Sequence, residues 1–222
     1  MKRLVLSLAT VMAFAGAFAQ SPEAKDAQNG ALSPELSALK LATELVKYGN
    51  ESRTALPFVE AAQIIINTDT QTLNEQKEGE AADKDGASLL DVNNLLAQAK
   101  TYADGDAATL AIIDQVASEA AARGNRGAVG GPKYTTEVVR AHSTDRYTIS
   151  FRAGQTAEVG VSGDGDTDLD LYVYDSNGNL IAKDDDYTDT CYVSWTPRWT
   201  GNFTIKVVNR GGVANRYVIL TN

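Results

Sequence analysis

The sequence predicts an α+β protein of two parts, a small N-terminal helical bundle followed by an antiparallel β-sandwich. Three observations carry this. Apolar residues recur at intervals of three and four between Ser33 and Arg123, the spacing of a helix face. Beyond residue 134 they recur at two, the spacing of a strand. Between the two periods lies "GNRGAVGGPK" (124–133), whose glycines allow positive φ and whose proline stops a helix, so it reads as a hinge.

The chain opens "MKRLVLSLATVMAFAGAFAQ", in which Lys2 and Arg3 precede an uncharged apolar run closing on Ala17, Phe18 and Ala19. That is the pattern of a secretory signal peptide over 1–19, cleaved between Ala19 and Gln20. The run falls short of the roughly 20 residues a spanning helix needs. No later segment is long and apolar enough to span, so the expectation is a secreted or periplasmic protein with no membrane span after cleavage. Losing Lys2 and Arg3 takes the formal charge from -9 to -11. Such acidity disfavours nucleic acid and anionic lipid as partners and favours solubility and divalent cations. Residues 20–32 read as a flexible N-terminal segment.

In the bundle (33–123), Ser33 is placed to cap a helix that starts at Pro34. Leu36, Leu39, Ala42, Leu45 and Val46 form its stripe, and Gly49 is expected to stop it. A second helix is expected from about Ala55 to Ile66, with Pro57 in its first turn. The polar stretch "TDTQTLNEQKEGEAADKDG" (68–86) reads as a mobile loop. Val92, Leu95, Leu96, Ala99 and Tyr102 mark a third helix ended by Gly105. Asp106 then caps a fourth, with Leu110, Ile113, Val116, Ala117 and Ala120, closed by Gly124.

In the sandwich (134–222), alternation sends Tyr147, Ile149 and Phe151 to one side of the first long strand. Val159 and Val161, then Leu169, Leu171 and Val173, then Phe203, Ile205 and Val207, and finally Tyr217 and Ile219 do the same in the strands that follow. "RAGQ", "DSNG" and "NRGG" are the turns. Cys191 is the only cysteine, so no intrachain disulfide forms. Alternation groups it with Val193 and Trp195, and it reads as a buried thiol.

The order and spacing of "TDRYTISF", "DLDLYVYDSNG", "GNFTIKVVN" and "NRYVILTN" make the stretch from about 134 to 222 resemble the bacterial pre-peptidase C-terminal domain family. Its members are secreted, jelly-roll-like sandwiches related to the collagen-binding modules of collagenases. The resemblance implies a non-catalytic accessory module. It also implies that the aspartate at the start of the first core strand, here Asp145, joins linker acids around calcium in some relatives. In this linker, "GGPKYTTEVVRAH", Glu137 is the only acid.

The acid-rich "GDGDTDLDLYVYDSNGN" (163–179) has its own reading. Asp168 and Asp170 share one side of a strand with Tyr172 and Tyr174, their α-carbons about 6.6 Å apart. Calcium takes 6 to 8 oxygens, so that pair needs Asp164 or Asp166 from the preceding turn, or Asp184, Asp185, Asp186 or Asp189 from across the hairpin. A solvated turn and wet strand face explain the same acids without a metal. Leu169 occupies the position where an EF-hand requires glycine, which excludes that loop. Tyr172, Tyr174, Tyr192 and Trp199 are candidates for an aromatic surface on which an extracellular polymer or protein binds. His142 is the only histidine, and "AHSTD" sets Ser143 and Asp145 too close in sequence for a triad. No HExxH, GxSxG or phosphate-binding loop is present. A non-catalytic binding protein with a calcium option is therefore expected. A carboxylate-dependent hydrolase, or an envelope protein whose bundle docks a partner, are the alternatives.

Overall fold

A computed structural model describes residues 25–26, 32–68, 70–80, 88–123 and 131–222. The expected signal peptide and its cleavage point, and most of the glycine-rich hinge, lie outside these. Among the described residues four helices lie in the N-terminal half: α1 (Pro34–Ser52), α2 (Leu56–Asn67), α3 (Val92–Ala103) and α4 (Ala107–Arg123). Among the described residues ten strands form two sheets. β1 (Lys25–Asp26), β7 (Leu180–Asp184), β6 (Leu169–Tyr174), β9 (Gly201–Asn209) and β4 (Thr144–Phe151) form one in that order; we call it the open sheet. β2 (Gln71–Thr72), β3 (Lys133–Val139), β10 (Asn215–Thr221), β5 (Ala157–Gly163) and β8 (Thr190–Trp195) form the other, the covered sheet. All pairings are antiparallel except those of the two-residue strands β1 and β2, which lie parallel on one edge of each sheet.

The helices start and stop largely as their residues dictate. Asp91 accepts from the Asn94 N–H and Asp106 from the Thr109 N–H, both at 2.8 Å, which satisfies orphan donors of α3 and α4. α3 ends on Asp104 in the left-handed region, followed by Gly105. α1 differs from expectation. Ser33 stands at its N-cap position without a side-chain capping bond, and Gly49 does not stop it, since the helix runs on to Ser52 and turns off at left-handed Arg53. Gly49 is a packing residue: a Cβ there would lie 2.5 Å from the Phe58 ring, so its absence lets α1 and α2 approach.

Between the sheets lies one core, with Tyr147, Ile149, Phe151, Val159, Val161, Leu169, Leu171, Val173, Val193, Phe203, Ile205, Val207, Tyr217 and Ile219 all pointing inward. Alternation put each of these on its proper side. Cys191 joins them, and its thiol donates to the Leu169 carbonyl at 3.0 Å.

A second core lies between the helices and the back of the covered sheet, where Val218 and Leu220 of β10 pack among Leu36, Leu39, Phe58, Leu95 and Ile113. The bundle thus sits on the sandwich. Every residue of β5 is buried because both of its faces are covered, and small Gly160 and Ser162 lie on the helix side. Polar bonds fasten the same contact: Thr43 Oγ1 to Ser162 Oγ at 3.0 Å, the Ser33 N–H to Glu158 Oε1 at 3.0 Å, and Lys47 Nζ to both carboxylate oxygens of Asp189 at 3.0 and 3.1 Å.

The stretch expected as a loop at 68–86 holds a strap. Gln71 and Thr72 pair with β3 at the edge of the covered sheet. Leu73, 4% exposed, enters the sandwich core. Glu78 then bridges to Arg146 of β4, at the edge of the open sheet. Residues 71–78 therefore close one side of the sandwich.

Candidate functional site

The bundle covers the back of one sheet, whereas the outer face of the open sheet stays accessible, with Arg146, Thr148 and Ser150 exposed on it. Residues opposite the core-facing Leu171 and Val173 point out on this face, which places Asp170, Tyr172 and Tyr174 there. The ladder sets their neighbours. Tyr172 pairs with Lys183 of β7 on one side and Lys206 of β9 on the other, and Lys206 pairs with Arg146 of β4. One row across the strands thus reads Lys183, Tyr172, Lys206, Arg146, about 14 Å long at the usual strand spacing. In the next row stands Tyr174, with Lys206 Nζ 4.2 Å from its ring centroid.

A polar network fixes the upper end of this face. Arg210 donates through Nε to Asp170 Oδ2 and through Nη2 to the Tyr172 hydroxyl at 3.0 Å. That hydroxyl lies 3.2 Å from Asp170 Oδ2 and 3.4 Å from Asp185 Oδ2, and Lys183 Nζ contacts the two Asp185 oxygens at 3.1 and 2.9 Å. Hydrogen bonding to Lys183 holds the Asp185 carboxyl below its ordinary range. Burial raises the Tyr172 phenol, and the Asp170 charge adds to this. The Tyr172 ring is therefore held in one orientation, neutral, between cationic side chains.

The other two aromatic candidates stand elsewhere. Tyr192 belongs to the covered sheet and faces the bundle. Its hydroxyl donates to Glu158 Oε1 at 2.6 Å, and its pKa is pushed up to about 12, by burial first and then by Glu158. Trp199 lies in the turn before β9, 37% exposed, stacked on Phe203 with centroids 6.0 Å apart. Tyr172 and Tyr174 share a face, then, while Tyr192 and Trp199 do not join it.

The acids gather at one end of the sandwich and divide by environment. Asp164 accepts from the Arg216 N–H at 3.2 Å, and Asp166 is exposed in the turn. Asp168 precedes β6, and its carboxyl is raised by burial first, then by Asp170 and Asp186. Asp184 points inward, accepts from the Tyr192 N–H at 2.8 Å and is likewise raised, chiefly by burial. Asp186 accepts from the Thr188 N–H and hydroxyl at 2.9 and 2.7 Å.

Asp145 stands apart from these at the start of β4, fully buried. It accepts from the Tyr217 hydroxyl at 2.9 Å and lies 3.4 Å from Lys77 Nζ. Among the described residues, no three His, Cys, Asp or Glu side chains are grouped so as to hold a metal ion. Asp145, and likewise Asp170 and Asp189 of the acidic end, each face a cation of the chain itself: Lys77, Arg210 and Lys47. The residues around Asp145 therefore do not fit a calcium centre, because an ammonium already holds the position.

His142 is exposed in the turn between β3 and β4, at φ 52°. Asp145 turns inward to Tyr217, so the two do not converge on Ser143. Lys183, Lys206, Arg146 and Arg210 are site residues that the sequence analysis missed. The alternation of β7 and β9 carried the signal for the first two, since it puts them opposite core positions. Lys77 had none.

Fold and site together define a β-sandwich module with a helical bundle docked on one sheet and an aromatic, cationic face on the other. No protein-family model matches the chain, and no curated protein matches it. Among solved structures, it is similar to the pre-peptidase C-terminal domain of collagenase from Bacillus anthracis, at 14% identity over 39% of this chain and 87% of that one, with a TM-score of 0.33. It is also similar to PliG of Aeromonas hydrophila, a periplasmic inhibitor of g-type lysozyme, at 14% identity over 41% and 84%, TM-score 0.33. A third is the xylan-binding module CBM86 of Roseburia intestinalis, at 12% identity over 42% and 77%, TM-score 0.30. The family that the C-terminal half resembles thus has a counterpart among these structures.

Proposed function

We propose that this is an exported, non-catalytic binding protein whose open-sheet face carries an extended extracellular polymer across Tyr172 and Tyr174. The observation that carries the reading is the asymmetry of the sandwich: one outer face is buried under helices, and the other displays two tyrosines on a central strand beside Lys183, Lys206 and Arg146. Flat amphipathic rings stack on the apolar faces of sugar or peptide units while the flanking groups hydrogen-bond their polar edges. Lys206 and Arg146 add positive charge beside the rings, where Lys183 is already paired with Asp185, and on a chain of formal charge -9 this favours a polymer that bears acidic groups. Among the described residues no helix is long and apolar enough to cross a membrane.

Retention on immobilised peptidoglycan, chitin, collagen and an acidic polysaccharide tests this. At least one is expected to retain the protein, the acidic ones with a salt-sensitive affinity. Tyr172→Ala with Tyr174→Ala is expected to weaken that binding about tenfold or more, at about 1 kcal/mol per stacked ring. Binding unchanged in the double variant, or retention on none of the four, would refute the assignment.

A further inference from the structure

We propose that Lys77 is a resident counter-cation for Asp145 and Glu137, carried in by the strap, so that this end of the sandwich closes without a metal ion and loss of the ammonium uncovers a site for a small divalent cation. Asp145 is 0% exposed, and a buried carboxylate is costly unless paired. Its Oδ2 accepts from Tyr217, whose hydroxyl is 2.6 Å from that of Tyr147. Its Oδ1 is buried with no hydrogen-bond donor. Tyrosine hydroxyls supply no charge, so compensation falls to Lys77.

Lys77 Nζ lies 3.4 Å from Asp145 Oδ2 and 3.4 Å from Glu137 Oε2, and donates to the Val138 carbonyl at 2.8 Å. Three oxygens from β3 and β4 thus converge on one ammonium, which has three protons to offer. The side chain is only 18% exposed.

The position of that ammonium is set by backbone on both sides. Upstream, the Leu73 N–H donates to the Tyr134 carbonyl at 2.9 Å. Downstream, Glu78 and Arg146 exchange both N–H···O bonds, at 2.8 and 2.7 Å. Gly79 then passes so close that a Cβ there would sit 2.1 Å from Asp145 Oδ1. The strap and the acid are therefore built to each other, with no room at that point for a side chain.

With the ammonium removed, Asp145, Glu137 and the Val138 carbonyl remain as an inward-facing oxygen set. A hard divalent cation takes such a set and completes its 6 to 8 ligands with water. This inference is independent of the polymer-binding face.

The test uses the full chain as wild type, Asp145→Asn, Lys77→Ala, Lys77→Met and Lys77→Ala with Asp145→Asn, melted in chelator and in millimolar calcium chloride. The wild type is expected to show no calcium-dependent rise in Tm that Asp145→Asn removes. Lys77→Ala is expected to melt roughly 6 °C or more below it in chelator. Calcium should then raise the Tm of Lys77→Ala by several degrees, and the double variant should gain nothing. Lys77→Met keeps most of the stem's packing and removes the charge, so it serves if the shorter side chain does not fold, and calcium-dependent recovery of folding counts as the same gain. An Asp145-dependent calcium gain in the wild type, a Lys77→Ala that melts with the wild type, or lysine variants indifferent to calcium would each overturn the proposal.

Discussion

Asp168 shows how a single carboxyl sets a pH dependence at the acidic end. Its Oδ1 is buried with no hydrogen-bond partner, and its carboxyl is raised by burial first and by Asp170 and Asp186 after that, against a smaller pull from Arg210. A raised pKa means that the folded chain holds the proton more tightly than the unfolded one. The group therefore favours folding below its unfolded value of about 3.9, and that contribution is lost as pH rises through the folded value. Asp168→Asn is expected to raise Tm at neutral pH by about 1–2 °C, a surface-sized effect, and to make no difference near pH 3. Melting curves in chelator at both pH values check this; an equal shift at the two would refute it. Asp145 and Asp184 are raised in the same direction, so they add to the effect. The alternation placed Asp170 and Tyr172 together correctly. It could not show that Arg210, 40 residues away in sequence, joins them, because that contact exists only once β9 lies beside β6.

At the scale of the element, the strap is where local signals were weakest. Residues 70–80 hold one large apolar side chain, Leu73, among polar neighbours, with a two-residue strand and no periodicity. Its partners, Lys133 and Tyr134, are about sixty residues further on, so nothing nearby announces the pairing. Leu73 nevertheless sits in the sandwich core. Leu73→Ala is expected to cost about 2–4 kcal/mol, as for a core leucine, where a loop position costs a few tenths. Urea unfolding measures the difference, and a loss under half a kilocalorie would return the segment to the loop it resembles. Gly49 teaches the same point in reverse. As a residue type it signals a helix stop, and here it is the space into which Phe58 packs.

For the whole molecule, the decisive contact is the seating of the bundle on the covered sheet. Val218 and Leu220 face the helices, while Tyr217 and Ile219 of the same strand face the other sheet. β10 is thereby shared between two cores, and neither can be lost without exposing it. Unfolding is expected to be a single transition. Trp195 and Trp199, the chain's only tryptophans, both report on the sandwich, whereas far-ultraviolet circular dichroism is dominated by the helices. The two signals should give coincident melting curves. Separate midpoints would show that the bundle and sandwich are independent. The sequence held a trace of this arrangement, because "YVIL" in β10 is apolar on both sides, as a strand covered on two faces must be.

By itself the sequence determined the four helices, the long core strands of the sandwich and its inward set, because helical and strand periods are short-range properties that every few residues repeat. It also placed Tyr172 and Tyr174 on one side of one strand. Only the tertiary structure decided which sheet the helices cover, that Tyr192 and Trp199 leave the aromatic face, and that Lys77 meets Asp145. Those outcomes depend on contacts between residues tens of positions apart, which side-chain order along the chain does not encode locally.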